Sequence, residues 1–153
     1  MNQAVTNTEI GERNFVVGAS RERVWRLIGK VIFSSLPGME QVEILDDTSF
    51  RALLKVKILL LEMTMRLKGE MVDMSPPASF GVNITIEGLG GLLRMKQKVT
   101  IEMTSIEKEK TAVACRARAE NMGILLRWLS VGQARRFAQS VFEAIEKRLQ
   151  DLA

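Results

Sequence analysis

The sequence has no histidine, no tyrosine and a single cysteine, Cys115. Without histidine, the Ser-His and Cys-His pairs that activate nucleophiles cannot be assembled, and a zinc site loses its usual nitrogen ligand. One cysteine forms no internal disulfide, and Cys115 sits in an alternating segment where it reads as a small buried hydrophobe. Paired carboxylates are the remaining acid–base route. Glu62, Glu70, Glu87, Glu102 and Glu120 all fall on the polar side of their segments, so no catalytic residue, metal ligand or cofactor is assigned. The first residues, MNQAVTNTEIGER, lack the basic, apolar and small-residue succession of a signal peptide. No run approaches the roughly 20 apolar residues that cross a bilayer. A cytoplasmic protein is expected, with any membrane contact peripheral at the inner face.

What is present describes one soluble domain. At 153 residues, with 46% hydrophobic and 26% charged residues, the chain is long enough to bury a sizeable core, and no composition break divides it. Residues 1–153 are read as a single domain in which 1–9 form a flexible N-terminal segment. The net charge of +4 admits anionic partners but selects none, because the charges are spread rather than blocked.

Two periods organise the chain. The segment from Ile10 to Val17 reads as a strand. Ser20 stands at an N-cap position and Glu22 in the following turn, with Val24, Trp25 and Ile28 on one apolar face. Gly29 then suggests a break, so two abutting short helices are expected, the first over 21–28 and the second ending at Pro37-Gly38, one of only three prolines. After Gly38 the period is two for about 80 residues, the pattern of an antiparallel sheet with one apolar face. Six strands are read there, making seven in all. The clearest runs from Arg94 to Thr104. From Ser130 onward the helical period returns, with Ser130 and Gln133 spaced as a capping box and Ala134, Phe137, Ala138, Val141, Phe142, Ile145 and Leu149 on one stripe.

The order strand, two short helices, six strands, long helix resembles the α+β helix-grip fold of the START and birch-pollen-allergen (SRPBCC) superfamily, in which a curved seven-stranded sheet wraps a C-terminal helix around a cavity. Within it the chain resembles the CoxG family of carbon monoxide dehydrogenase proteins, through GASRERVWRLI, LPGMEQVE and ARAENMGILLRWLSVGQARRF. The likeness covers about Phe15 to Leu149. Pro37-Gly38 then reads as the sharp turn that ends the helical stretch and starts the next strand. Two features depart from the family. KVKILLLEMTM runs through a hairpin position with no Gly, Pro, Asn or Asp, and the chain stops at Ala153 without the hydrophobic anchor that many relatives carry.

The resemblance implies a hydrophobic small molecule, lipid or quinone-like, held between sheet and helix. The expected cavity wall is Trp25, Met63, Met65, Met71, Phe80, Ile84, Met95, Met103, Phe137, Val141 and Phe142, rich in the flexible thioethers that line adaptable sites. Leu89, Leu92 and Leu93 in one loop, with Leu125, Leu126, Trp128 and Leu129 before the long helix, are expected at the cavity entrance or at a membrane or partner contact. Lys55, Lys57, Lys96 and Lys98 head a basic outer face that either stays solvated or docks an acidic protein; without exposed aromatics it does not suit nucleic acid. The family implies service to a molybdenum-containing carbon monoxide dehydrogenase or related hydroxylase, as an assembly, recruitment or carrier factor. The rivals are an interaction module with a vestigial cavity and, third, a cyclase- or hydrolase-like enzyme.

Overall fold

A computed structural model describes residues 8–34, 38–58, 60–88, 90, 93–120 and 124–153. The elements run β1 (Thr8–Val17), α1 (Arg21–Ser34), β2 (Met39–Ile44), β3 (Ser49–Ile58), β4 (Leu61–Ser75), β5 (Ser79–Gly88), β6 (Leu93–Glu107), β7 (Lys110–Glu120) and α2 (Ile124–Leu152). The strands form one antiparallel sheet in the order β1-β7-β6-β5-β4-β3-β2. β4 and β6, at 15 residues each, would span about 50 Å if straight. Bulges at 9/11, 40/43, 72/75 and 105/107 bend the sheet instead, because an unpaired extra residue increases local twist.

Alternation puts Phe50, Leu54, Leu67, Phe80, Val82, Ile84, Ile86, Val99, Ile101, Val113, Cys115 and Ala117 on the inner face, each no more than 6% exposed. Both helices cover that face. α2 runs alongside β1: Ala138 and Phe142 pack on Gly11, Arg13 pairs with Glu146, and Gln150 Nε2 donates to the Val16 carbonyl at 2.8 Å. α1 packs on α2 and approaches β6, β2 and β7, and Arg23 donates to the Leu152 carbonyl at 3.1 Å.

Three sequence expectations need correction. The two short helices are one, α1, continuous through Gly29. Val24, Ile28, Val31 and Ile32 are at most 4% exposed and share one stripe, so burial on both sides of Gly29 outweighs its cost of about 1 kcal/mol in a helix. The Ser130 box does not begin the last helix. α2 starts at Ile124, since ILLRWL is built of competent helix formers and nothing in it stops the helix. β1 begins at Thr8, so Thr8 and Glu9, expected in a flexible segment, pair with Ala119 and Arg118.

Other expectations stand. Ser20 caps α1, its Oγ accepting from Arg23 N–H at 3.3 Å. Gly38 takes φ 77°, a left-handed conformation that suits glycine, and its carbonyl accepts from Lys55 N–H at 3.2 Å; Leu36 and Pro37 lie outside the described residues. The hairpin without turn residues closes by pairing Ile58 with Leu61, leaving positions 59 and 60 as the connection and Leu60 fully exposed at 100%.

Candidate functional site

Strand register divides the inner face into two ends. At one end lie the β2–β3, β4–β5 and β6–β7 turns and the β1-to-α1 passage. At the other, β3 meets β4, β5 meets β6, and β7 leads into α2. The first end is filled. Phe50 and Ile101 are 0% exposed, Phe80 1%, Met103 2% and Val113 1%; the Trp25 and Phe80 rings meet edge to face at 5.6 Å, a favoured geometry.

The second end is looser. Met63 and Met95 point inward but are only half-buried. Phe137, on the α2 stripe toward this end, is also half-buried. The α2 residues held against β1 begin at Ala138, so the preceding turns of α2 extend toward the β3–β4 and β5–β6 connections. Half-buried apolar side chains on the inward face of a sheet mark space that packing has not filled.

The expected cavity wall is therefore split. Met63, Met65, Met95 and Phe137 gather at the loose end, with Met65 7% exposed against Gly88. Ile84 lies midway along the face, opposite Gln97. Trp25, Phe80 and Met103 belong to the filled end, and Phe142, 0% exposed on Gly11, belongs to the α2–β1 seam, with Val141 5% exposed beside it. Met71 is half-buried near the β2–β3 turn, its N–H donating to the Thr48 carbonyl at 2.6 Å. These are core contacts, because both helices converge on that end. Of the expected entrance, Leu89 and Leu92 and the side chains of Leu93, Leu125, Leu126, Trp128 and Leu129 lie outside the described residues. The strand ends nevertheless show that the connections carrying them leave the sheet at the loose end.

Gln97 was not singled out by the sequence reading. It lies on the inner face between Met95 and Val99, register-matched to Ile84 and Ala119, and is 2% exposed. The signal was its phase: a glutamine at an apolar position of the clearest strand. Cys115 is buried on the same face, and burial pushes its thiol up to about 12, which keeps it protonated and a poor nucleophile. Arg13 is the charged side chain on β1 that reaches α2; its guanidinium is held above its usual value, first by the hydrogen bond to Glu146.

The outer face is electrostatically mixed. Lys55 pairs with Glu40 at 3.4 Å, Lys98 with Asp73 at 2.8 Å, Arg51 with Glu43 at 2.9 Å and Arg94 with Glu87 at 3.3 Å. Lys96 stands opposite Glu120 in the register, and the Lys57 side chain lies outside the described residues. Pairing of this kind lowers the net field an acidic partner would meet. A shallow groove of about 250 Å³ on this face runs over Ala112 and Ala114 beside Asn14, Val16, Glu102 and Thr104. Among the described residues no helix is long and apolar enough to cross a membrane.

Comparison with known proteins places this geometry. The fold matches a conserved protein from Geobacillus kaustophilus at 20% identity, covering 92% of this chain and 94% of that one with a TM-score of 0.70. It matches truncated norcoclaurine synthase from Thalictrum flavum at 16% identity, 99% and 97% coverage and a TM-score of 0.64. A START superfamily protein from Mycobacterium smegmatis aligns at 12% identity over 94% and 95%, with a TM-score of 0.56. At such identities the likeness is one of fold. A search of curated proteins finds no match. The family model for CoxG, a carbon monoxide dehydrogenase protein, matches residues 14–151, nearly the whole chain, and the protein belongs to that family.

Proposed function

We propose that this chain is a non-catalytic carrier that holds a hydrophobic small molecule, lipid or quinone-like, between the sheet and α2, and that it serves a carbon monoxide dehydrogenase-type molybdenum hydroxylase as an assembly, recruitment or carrier factor. The observation that carries the reading is the looseness of one end of the inner face. Met63, Met95 and Phe137 remain half-buried there while the opposite end is packed to exposures of 0–2% at Phe50, Phe80, Ile101 and Met103. A core that needed only to be stable gains by closing both ends; each buried methylene contributes about 0.8 kcal/mol. Family membership supports the link to the dehydrogenase. The absence of His and Tyr and the protonated, buried Cys115 support a binding role over a catalytic one. Peripheral contact with the inner face of the membrane, where such a cargo would be collected, belongs to the same reading.

The test is native mass spectrometry of the protein purified from its own organism, followed by organic extraction and analysis of the released material. A stoichiometric apolar molecule is expected. A bare chain, still bare after incubation with native membrane extract, refutes the carrier reading.

A further inference from the structure

Gln97 is out of place for a residue that only fills a core. Its side chain is 2% exposed and projects from β6 toward the helices, with Ile84 and Ala119 as cross-strand neighbours on the same face. Both are apolar and buried. A glutamine amide brings two N–H donors and a carbonyl with two lone pairs. Among the described residues, its one hydrogen bond runs from Nε2 to the Met95 thioether at 3.7 Å, and a thioether is a weak acceptor. One N–H and the amide carbonyl are left over. Buried polar groups in folded proteins almost always find a partner, because leaving one unmet costs about 1–3 kcal/mol. The other polar side chains buried in the molecule do not share this condition to the same degree. Thr111 donates to the Ala19 carbonyl at 2.8 Å, and Ser49 belongs to the Asp46–Ser49 turn.

The position of Gln97 matters as much as its unmet valence. Met95 is two residues along the same face, only half-buried, and Met63 is half-buried on the same side of the sheet. The amide therefore faces the loose end, not the filled one. No cation joins it: Lys96 and Lys98 alternate to the outer face, and Arg13, the inward cation of β1, is taken up by Glu146 and Glu143.

We propose that Gln97 is the hydrogen-bonding anchor of this cavity, and that the molecule held there is apolar apart from an uncharged oxygen, as in a ketone, a quinone or a long-chain ester, whose carbonyl accepts the free Nε2 N–H. This rests on the carrier reading and narrows its ligand class. An amide among thioethers and aliphatic groups rewards a neutral acceptor, whereas a carboxylate would enter without a counterion and lose its hydration. An alkane would fill the space but leave the amide unmet.

The experiment uses the full chain, stripped of bound lipid, with the uncharged fluorophore phenylnaphthylamine as reporter. A long-chain methyl ketone and the alkane of equal length compete for the site in wild type, Gln97→Leu and Gln97→Met. The methyl ketone is expected to displace the reporter about tenfold more tightly than the alkane in wild type, the order of discrimination that one unmet buried polar group gives. In both variants the preference is expected to fall within about twofold, with alkane binding no weaker than in wild type. Because each variant removes a buried amide, its melting temperature without ligand should match or exceed wild type. Equal binding of ketone and alkane by wild type overturns the proposal, since water or protein then satisfies the amide. A tenfold preference that survives in both variants overturns it as well, while leaving the cavity in place. Displacement by neither compound overturns the carrier reading itself, and this inference with it.

Discussion

Gly69→Ala is the sharpest test of how the filled end is built. Gly69 pairs with Phe50 across β3 and β4, and a Cβ placed there would lie 2.3 Å from Phe50 Cε1 and 2.6 Å from Cζ. Ordinary carbon contacts sit at about 3.5–4.0 Å, so more than an ångström of overlap must be relieved. The ring cannot swing outward cheaply, because Phe50 is 0% exposed. Two effects of opposite sign compete. Replacing glycine with alanine in an unstrained strand stabilises by about 0.4–1 kcal/mol through the unfolded chain. Overpacking a closed core costs about 1–3 kcal/mol, and an overlap this large, against a ring with nowhere to go, belongs at the upper part of that range. The net expectation is a loss of about 1–2 kcal/mol, or a melting temperature lower by roughly 2–8 °C for a chain of this size. Urea unfolding followed by circular dichroism measures it, with unchanged m-values showing that both proteins unfold to the same extent. The second arm is the same substitution in a Phe50→Leu background, where the shorter side chain vacates the contested space and the cost should fall below about 0.5 kcal/mol or reverse. Gly69→Ala that stabilises the wild-type protein, or a cost that is the same in both backgrounds, refutes the overlap argument.

The remaining expectations concern chemistry at the two ends. Under limiting peroxide, Met63 and Met95 should reach the sulfoxide before Met65 and Met103, which are 7% and 2% exposed; a bound apolar ligand should protect Met63 and Met95 but leave oxidation of exposed Met74, 47% accessible, unchanged, and peptide mass spectrometry reads the order. Equal oxidation of the four inward methionines would contradict the division of the face into a filled and a loose end. Cys115, held protonated to about 12 by burial, should resist iodoacetamide in the native protein at pH 8 and react at once in denaturant. Its folded value lies above its unfolded one, so the native state binds more protons between the two; its contribution to stability is intact below about pH 8.5 and is lost as pH rises toward 12. Cys115→Ala should flatten that alkaline decline, and a decline unaffected by the substitution would assign it elsewhere.

The face of each strand was legible in the sequence, and so was the nature of the site as an apolar surface. Alternation of Met95, Val99, Ile101 and Met103 with Lys96, Lys98, Thr100 and Glu102 fixes which side of β6 is buried, because the period of a strand is two and one face must leave water. The Ser20 cap is local, and the burial of Cys115 follows from strand phase alone. Position along a strand is another matter. Nothing in the period separates Met103, packed under the helices, from Met95, left half-buried on the same face, because that difference depends on where α1 and α2 land, and their landing is set by distant contacts such as Ala138 and Phe142 on Gly11 and Arg13 with Glu146. The same nonlocal burial carries α1 through Gly29. It also allows the hairpin at positions 59 and 60 to close without turn residues, since the register between β3 and β4 is held by inward side chains along both strands. Gln97 is where the two levels meet: the sequence determined that it faces inward, and only the tertiary structure left it buried beside unfilled space with half of its hydrogen bonds unmade.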